Sequence, residues 1–452
     1  MNRRMFEVDM GRFRRMASKG ARGLLLAAVA VGLAGCATSM RQRARAPRAG
    51  WEPEPAERVV ERGQEALGCP AAGPGPGEGG LAAAEQQVAR YRRMAAGDPR
   101  EYEPQLGRAL RSYSDCLDDL ERRDEALAAA EQSVTIFRKL SAARPGWFEA
   151  DLAVSLQFLG WAEHRLGRHE DALASVERAT EIFHRLAKAS PREHAAQLAN
   201  SLAALSLALR DAGRTEEALE VVVRSEAMYR KLDEAFPGRF EAGLAYTLKI
   251  EAQLLKRLGH REEALVCAEQ ATGLLRRLAS RRPEAFAPEL AHSLTVTSIL
   301  QMELGLKRHA LMAIDRAVEI RVELARRRPE IFEPALAQSL TVRFNALYGL
   351  GQTAEALASI DQALEIIRRL DRAKPEWFQE DLASALHNRC IALSRLGRKK
   401  EALASVEQAV ELFQRLVKTR PEEKFEAKLA RTLKLRALIL DGRARSLGIA
   451  EI

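Results

Sequence analysis

Residues 281–294 read RRPEAFAPELAHSL, with two prolines five residues apart in a stretch otherwise rich in helix formers. A proline inside a helix removes a backbone hydrogen bond and crowds the preceding turn, so Pro283 marks a break. The break is periodic. Proline recurs at 99, 145, 191, 237, 283, 329, 375 and 421, always at an interval of 46 residues. Eight markers at one spacing define an internal repeat.

Counted from the unit proline as position 1, Leu stands at positions 8 and 12 in seven units, from Leu106 and Leu110 to Leu382 and Leu386. Ala-Leu fills positions 28 and 29 seven times, and Gly holds position 23 in six units, with Glu121 in the first. These marks divide each unit into two helices. Helix A is expected from about position 6 to 22, with Pro104, Pro288 and Pro334 in its first turn, where a missing N–H costs nothing. The glycine stops it by taking a left-handed conformation. Helix B follows from about position 25 to 44, its acids near the start and its Arg and Lys near the end, as the helix dipole favours. Apolar or small residues at 28, 32, 35, 39 and 42 form one buried stripe. An aromatic at position 4 (Tyr102, Phe148, Phe240, Phe286, Phe332, Phe378) is placed to pin the turn between units.

The small residue at position 16 (Gly160, Ser206, Ala252, Ser298, Cys390), Ala at 28, the aliphatic at 32 and the small residue at 35 carry a further resemblance. Their spacing is similar to the framework of tetratricopeptide repeats. Two departures are the period of 46 rather than 34 and Leu in place of an early Trp. The resemblance implies an all-α, right-handed superhelical solenoid of antiparallel helix pairs, with seven full repeats over 99–420. A lone helix pair cannot bury its stripe, so the ends should be modified. Residues 81–98 resemble a single capping helix B, and 421–452 hold a capping helix, EAKLARTLKLRALIL, and a tail.

The net charge of +9 is local. Residues 1–50 hold eleven Lys and Arg against two acids, while the rest of the chain carries sixty of each. That excludes a nucleic-acid footprint spread over the repeats and points to targeting. A basic segment ending at Arg22 precedes GLLLAAVAVGLAGC, an apolar run too short to span a bilayer permanently but suited to a signal peptide. Leu33-Ala34-Gly35-Cys36 looks like the lipobox of bacterial lipoproteins. The resemblance implies a signal peptide over 1–35 and a lipidated Cys36. It also implies a membrane anchor, with Ala37 favouring the outer membrane over retention at the inner one. Residues 36–80, with GCPAAGPGPGEGG at 68–80, are expected to form a flexible tether. Cys267 and Cys390 fall at small-residue helix positions and are read as packed thiols, whereas Cys69 and Cys116 could form a disulfide if neighbouring helices stack.

No phosphate-binding loop, nucleophile elbow or zinc-protease motif occurs. His164 and His169 straddle the Gly167 turn, so they are not a helical ligand pair. No catalytic residue, cofactor or metal is expected, and function falls to a surface. In the resembled family, helix A lines the inner groove. Carried over by spacing, its positions are 10, 13, 17 and 20 here, where side chains differ from unit to unit. The candidates are Trp161, His164, Asn200, Arg210, Tyr246, Lys249, Gln253, Lys256, His292, Asn345, Tyr348 and His387. A variable surface on a constant scaffold suits an extended protein or peptide partner. The expected function is a membrane-anchored interaction scaffold, an accessory to an envelope complex. The alternatives are a regulatory module that sequesters a client enzyme, and an enzyme whose active site is assembled in the groove.

Overall fold

The computed structural model describes residues 78–420 and 425–442. Over these residues the chain is a row of sixteen helices without a strand. Helix α1 (Glu78–Gly97) leads, beginning slightly before the cap expected from residue 81. Seven pairs follow: α2 (Pro99–Asp119) with α3 (Arg123–Ala143), α4 (Glu149–Arg165) with α5 (His169–Ala189), and α6 (Pro191–Asp211) with α7 (Thr215–Ala235). Next are α8 (Glu241–Arg257) with α9 (Arg261–Arg281), α10 (Pro283–Glu303) with α11 (Lys307–Arg327), and α12 (Pro329–Gly349) with α13 (Thr353–Ala373). Helices α14 (Pro375–Arg395) and α15 (Lys399–Thr419) make the last pair, and α16 (Glu426–Leu440) closes the row. The expected signal peptide, the lipidated Cys36, the tether up to residue 77 and the Cys69 half of the suggested disulfide lie outside the described residues. Cys116 carries a free thiol, half-buried on α2.

The junction between units differs from its expected form. The unit proline does not end helix B with helix A starting five residues later. In five units it is itself the first residue of helix A: Pro99, Pro191, Pro283, Pro329 and Pro375. One residue alone separates those helices from the helix B before them. Arg282, for example, sits at φ −136° and ψ 76°, and Arg328 at −142° and 76°. The following proline ring bars that residue from the helical region, so a single residue turns the chain. Pro104, Pro288 and Pro334 consequently lie inside helix A rather than in its first turn. In the second and fourth units glycine follows the proline, and Gly146 (φ 84°) and Gly238 (φ 81°) take left-handed conformations. There the helix begins only at Glu149 and Glu241.

The turn from A to B follows its expected form closely. At Gly167 (φ 77°) the amide reaches back to His164 O, and Arg168 N reaches Glu163 O, which satisfies the last helical carbonyls. Glu121 takes the same conformation (φ 60°) with a side chain attached, the one non-glycine to do so among the described residues.

Each helix B packs on its own helix A and also on that of the next unit, more loosely at the joints before the second and fourth units, so the core continues from unit to unit. Its stripe is buried: Ala172, Val176, Ala179 and Phe183 in α5 are typical. A Cβ on Gly160 would meet Val176 Cγ2 at 2.7 Å, which explains the small residue at position 16 opposite positions 28 and 32. Position 11 carries hydroxyls that bond to the preceding helix B, as in Ser155 with Ser133 (2.9 Å) and Ser201 with Thr180 (2.8 Å). Several successive A helices also touch one another directly, as α2 with α4 and α10 with α12, so they form one side of the row.

Candidate functional site

Positions 10, 13, 17 and 20 fall on the A helices, and several of their side chains bridge from unit to unit. At the N-terminal end, Trp161 is half exposed and its Nε1 donates to Asp118 Oδ2 at 3.0 Å, across to the preceding helix A. His164 lies beside it, with ring centroids 5.8 Å apart, and its Nδ1 is 3.4 Å from Asp211 Oδ2. The His169 ring is 5.3 Å beyond. Burial lowers the His164 pKa, with Asp211 opposing. A cleft of about 600 Å³ opens next to His169, Glu170 and Asp211.

In the middle, Arg210 is fixed by two bonds to Asp211 (2.7 and 3.0 Å) and reaches Gln253 Oε1 at 3.4 Å. Lys249 pairs with the Glu289 carboxylate of the next helix A. Lys256 does the same with Glu303 at 2.8 Å. Lys249, Gln253 and His292 share a shallow pocket with Ser293 and Val296. His292 is open to solvent, and the crowding of its surroundings together with Lys249 lowers its pKa. Asn200 and Tyr246 are half-buried on α6 and α8.

The C-terminal part departs from the expectation at one residue. Tyr348 is 3 % exposed rather than groove-lining. Its ring stacks on Phe344 at 5.7 Å and is covered by the Arg395 guanidinium at 4.9 Å, because position 16 of this unit is a phenylalanine. Asn345 remains half-buried. His387 bonds Thr432 of α16 at 3.1 Å, and burial next to Arg431 pushes its pKa down to about 4. It stands apart from the central group. Among the described residues no group of three His, Cys, Asp or Glu is placed to hold a metal.

Sequence reasoning missed the acids that pair along this strip, among them Asp151, which holds Arg108 and Arg111 of the preceding helix A. Asp151 and Glu289 stand at position 7 of their units, and Asp211 and Glu303 at position 21. Positions 7 and 21 recur on the A helix one turn from the candidate stripe, and acids there were the available signal. It also missed Glu251 in α8, buried against Cys267. Burial and the nearby Glu226 raise its pKa to about 7, the Cys267 thiol opposing. One of its oxygens has no hydrogen-bond partner. Because the folded state holds this proton more tightly than the unfolded chain, stability should fall as pH rises from about 4.5 to 7. Glu251→Gln should therefore stabilise the protein above pH 7, on the order of 3 kcal/mol, and add nothing below pH 4.5. Thermal melts of both proteins across that range check it.

A tetratricopeptide-repeat family model matches residues 153–178 and 383–408. Both segments run from position 9 to position 34 of their units. No curated protein sequence matches the chain significantly. Among solved structures it is similar to a signal transduction ATPase with a tetratricopeptide-repeat sensor from Pyrococcus horikoshii. That match has 12 % identity, covers 83 % of this chain and 55 % of the other, and has a TM-score of 0.50. Two further similar structures are BtubC from P. vanneervenii (18 % identity, 55 % and 91 % covered, TM-score 0.45) and the apo quorum sensor NprR from B. thuringiensis (14 %, 83 % and 98 %, 0.42). These likenesses concern the fold. The chain is an all-α solenoid of packed helix pairs, two segments of which match a tetratricopeptide-repeat model.

Proposed function

We propose that the A side of the solenoid is a groove that takes an extended segment of a protein or peptide partner. The observation that carries the reading is the continuous polar strip from Trp161 to His292, in which side chains of adjacent units pair while their identities change from unit to unit. Fixed, partly desolvated polar groups on a rigid helical scaffold discriminate between partners better than mobile ones do. In the same reading, lipid on Cys36 holds the solenoid at the outer membrane, where it serves as an assembly accessory of an envelope complex and performs no catalysis of its own. More than one acyl chain makes such an anchor firm, since each buried methylene contributes about 0.8 kcal/mol.

Pulldown from solubilised envelope, comparing wild type with Tyr246→Ala/Lys249→Ala, tests the groove. The double variant should lose the captured partner, and an unchanged partner set would refute the assignment. Metabolic labelling with a palmitate analogue tests the anchor: label should vanish in Cys36→Ser, and its persistence would rule Cys36 out.

A further inference from the structure

Position 39 of helix B belongs to the buried stripe, and six units fill it with Phe137, Phe183, Tyr229, Leu275, Ile367 and Phe413. The fifth unit has Arg321 there, 4 % exposed. Its Nη1 donates to Ala335 O at 2.6 Å and to Ser339 Oγ, both on α12. Among the described residues no carboxylate pairs with it. Burial lowers its pKa to about 10, so it remains a cation at neutral pH. A buried charge without a counter-ion costs stability, and the fold does not require one where neighbouring units place an aromatic or aliphatic side chain.

The surroundings of this site on the A side show where a counter-ion would come from. In the first unit the corresponding space above Phe137 is closed by the protein's own ions. Arg111 lies 5.4 Å over the ring and pairs with Asp151, the position-7 acid of the next unit. In the fourth unit Lys249 and Glu289 hold the same two places. In the fifth, they fall to Thr295 and Ala335, small and uncharged. The long Arg321 side chain thus reaches from helix B to the joint between α10 and α12, where His292 and Gln338 are the exposed residues. Thr295 and Ser339 share a hydrogen bond at its mouth (3.2 Å).

We propose that Arg321 receives a carboxylate of the bound partner, an Asp or Glu side chain inserted between α10 and α12. The inference rests on the groove reading and adds to it the chemistry of one subsite. With Ala335 at position 7 no acid of the next unit answers the Arg321 charge, and a planar guanidinium is suited to a carboxylate.

The test uses the full chain, a random peptide library displayed on phage, and two variants. Arg321→Met replaces the charge by an apolar side chain of similar length. Ala335→Asp restores an acid at position 7 and neutralises Arg321 from within. Peptides recovered on the wild type should share an acidic residue whose change to Asn or Gln weakens binding about tenfold. Both variants should bind the acidic peptide about tenfold more weakly and the amide version as the wild type does. Both should melt at or above the wild-type temperature, since a stranded charge has been removed or paired. If Arg321→Met fails to fold, Ala335→Asp decides the matter alone. Recovered peptides that lack a shared acid, or that bind both variants undiminished, would overturn the subsite while leaving the groove. Recovery of no peptide would count against both.

Discussion

Phe344→Ala should destabilise the solenoid by about 3–5 kcal/mol, the usual cost of emptying a fully buried phenylalanine site. Phe344 is completely buried in α12 and lies in a core cluster that joins α12 to α13 and α14. Other units hold a small residue at this position, so this joint alone is spaced around a bulky side chain, and its removal leaves a void unless the helices close up. Because each unit in such an array touches only its neighbours, the loss should be felt first at the α12–α13 pair. Native-state hydrogen exchange should show the amides of those helices opening well before those of α4 and α5, and the urea transition should broaden or split. The variant should also release Tyr348 from its stack, allowing it to reach the A-side surface. A loss below about 1 kcal/mol would mean that the site collapses freely and that the packing account is wrong.

The second large effect is expected at Asp151, which is not itself among the candidate groove residues. Its carboxylate accepts from Arg108 at 3.0 and 2.8 Å and from Arg111 at 3.2 Å, tying α2 to α4 along the A side. Asp151→Ala removes the carboxylate that pairs with Arg111, itself buried. Breaking a buried pair costs about 3–5 kcal/mol; with Arg108 38 % exposed, about 2–3 kcal/mol is expected here. The pH dependence separates this loss from simple truncation. Burial by itself would raise the Asp151 pKa, but the hydrogen bonds and charges of Arg108 and Arg111 outweigh it and hold the group below its ordinary range. A carboxylate depressed in the folded state contributes stability that is complete above its unfolded pKa, about 3.9, and is lost as pH falls through the folded value. The gap between wild type and Asp151→Ala should therefore be constant from about pH 5 to 7 and shrink below about pH 4. A gap independent of pH down to acid unfolding would refute the ionic account.

Much of this fold was legible in the sequence, because repetition averages out the noise of any one segment. A single Ala-Leu or glycine says little, but seven at the same position fix two helices per unit and the turn between them. The glycine at position 23 was readable for a local reason: a left-handed helix end has one favoured residue, and Gly167 and its equivalents adopt it. The start of helix A was misread for an equally local reason. Proline both stops a preceding helix and suits the first position of a following one, and the sequence offers no way to weigh the two. What differs in the second and fourth units is one glycine, Gly146 or Gly238, and its effect appears only in the backbone.

The candidate site divides along the same line. Position within the repeat was enough to bring Arg210, Lys249, Gln253, Lys256 and His292 to one face, since that follows from helix periodicity. Which of these side chains pair, and with what, depended on contacts across the joint between units. Glu289 reaches Lys249 although the two are 40 residues apart. Tyr348 was assigned to the surface by its position and is buried because Phe344 lies beneath it. Arg321 sits in an apolar stripe, and only its neighbours on α12 reveal an unmatched charge. The sequence by itself determined the repeat, the helices and the turn glycines, all products of short-range sterics and periodicity. Tertiary structure alone decided burial, charge pairing and the unmatched charge of Arg321, because those depend on which side chains of two separate units meet across a joint.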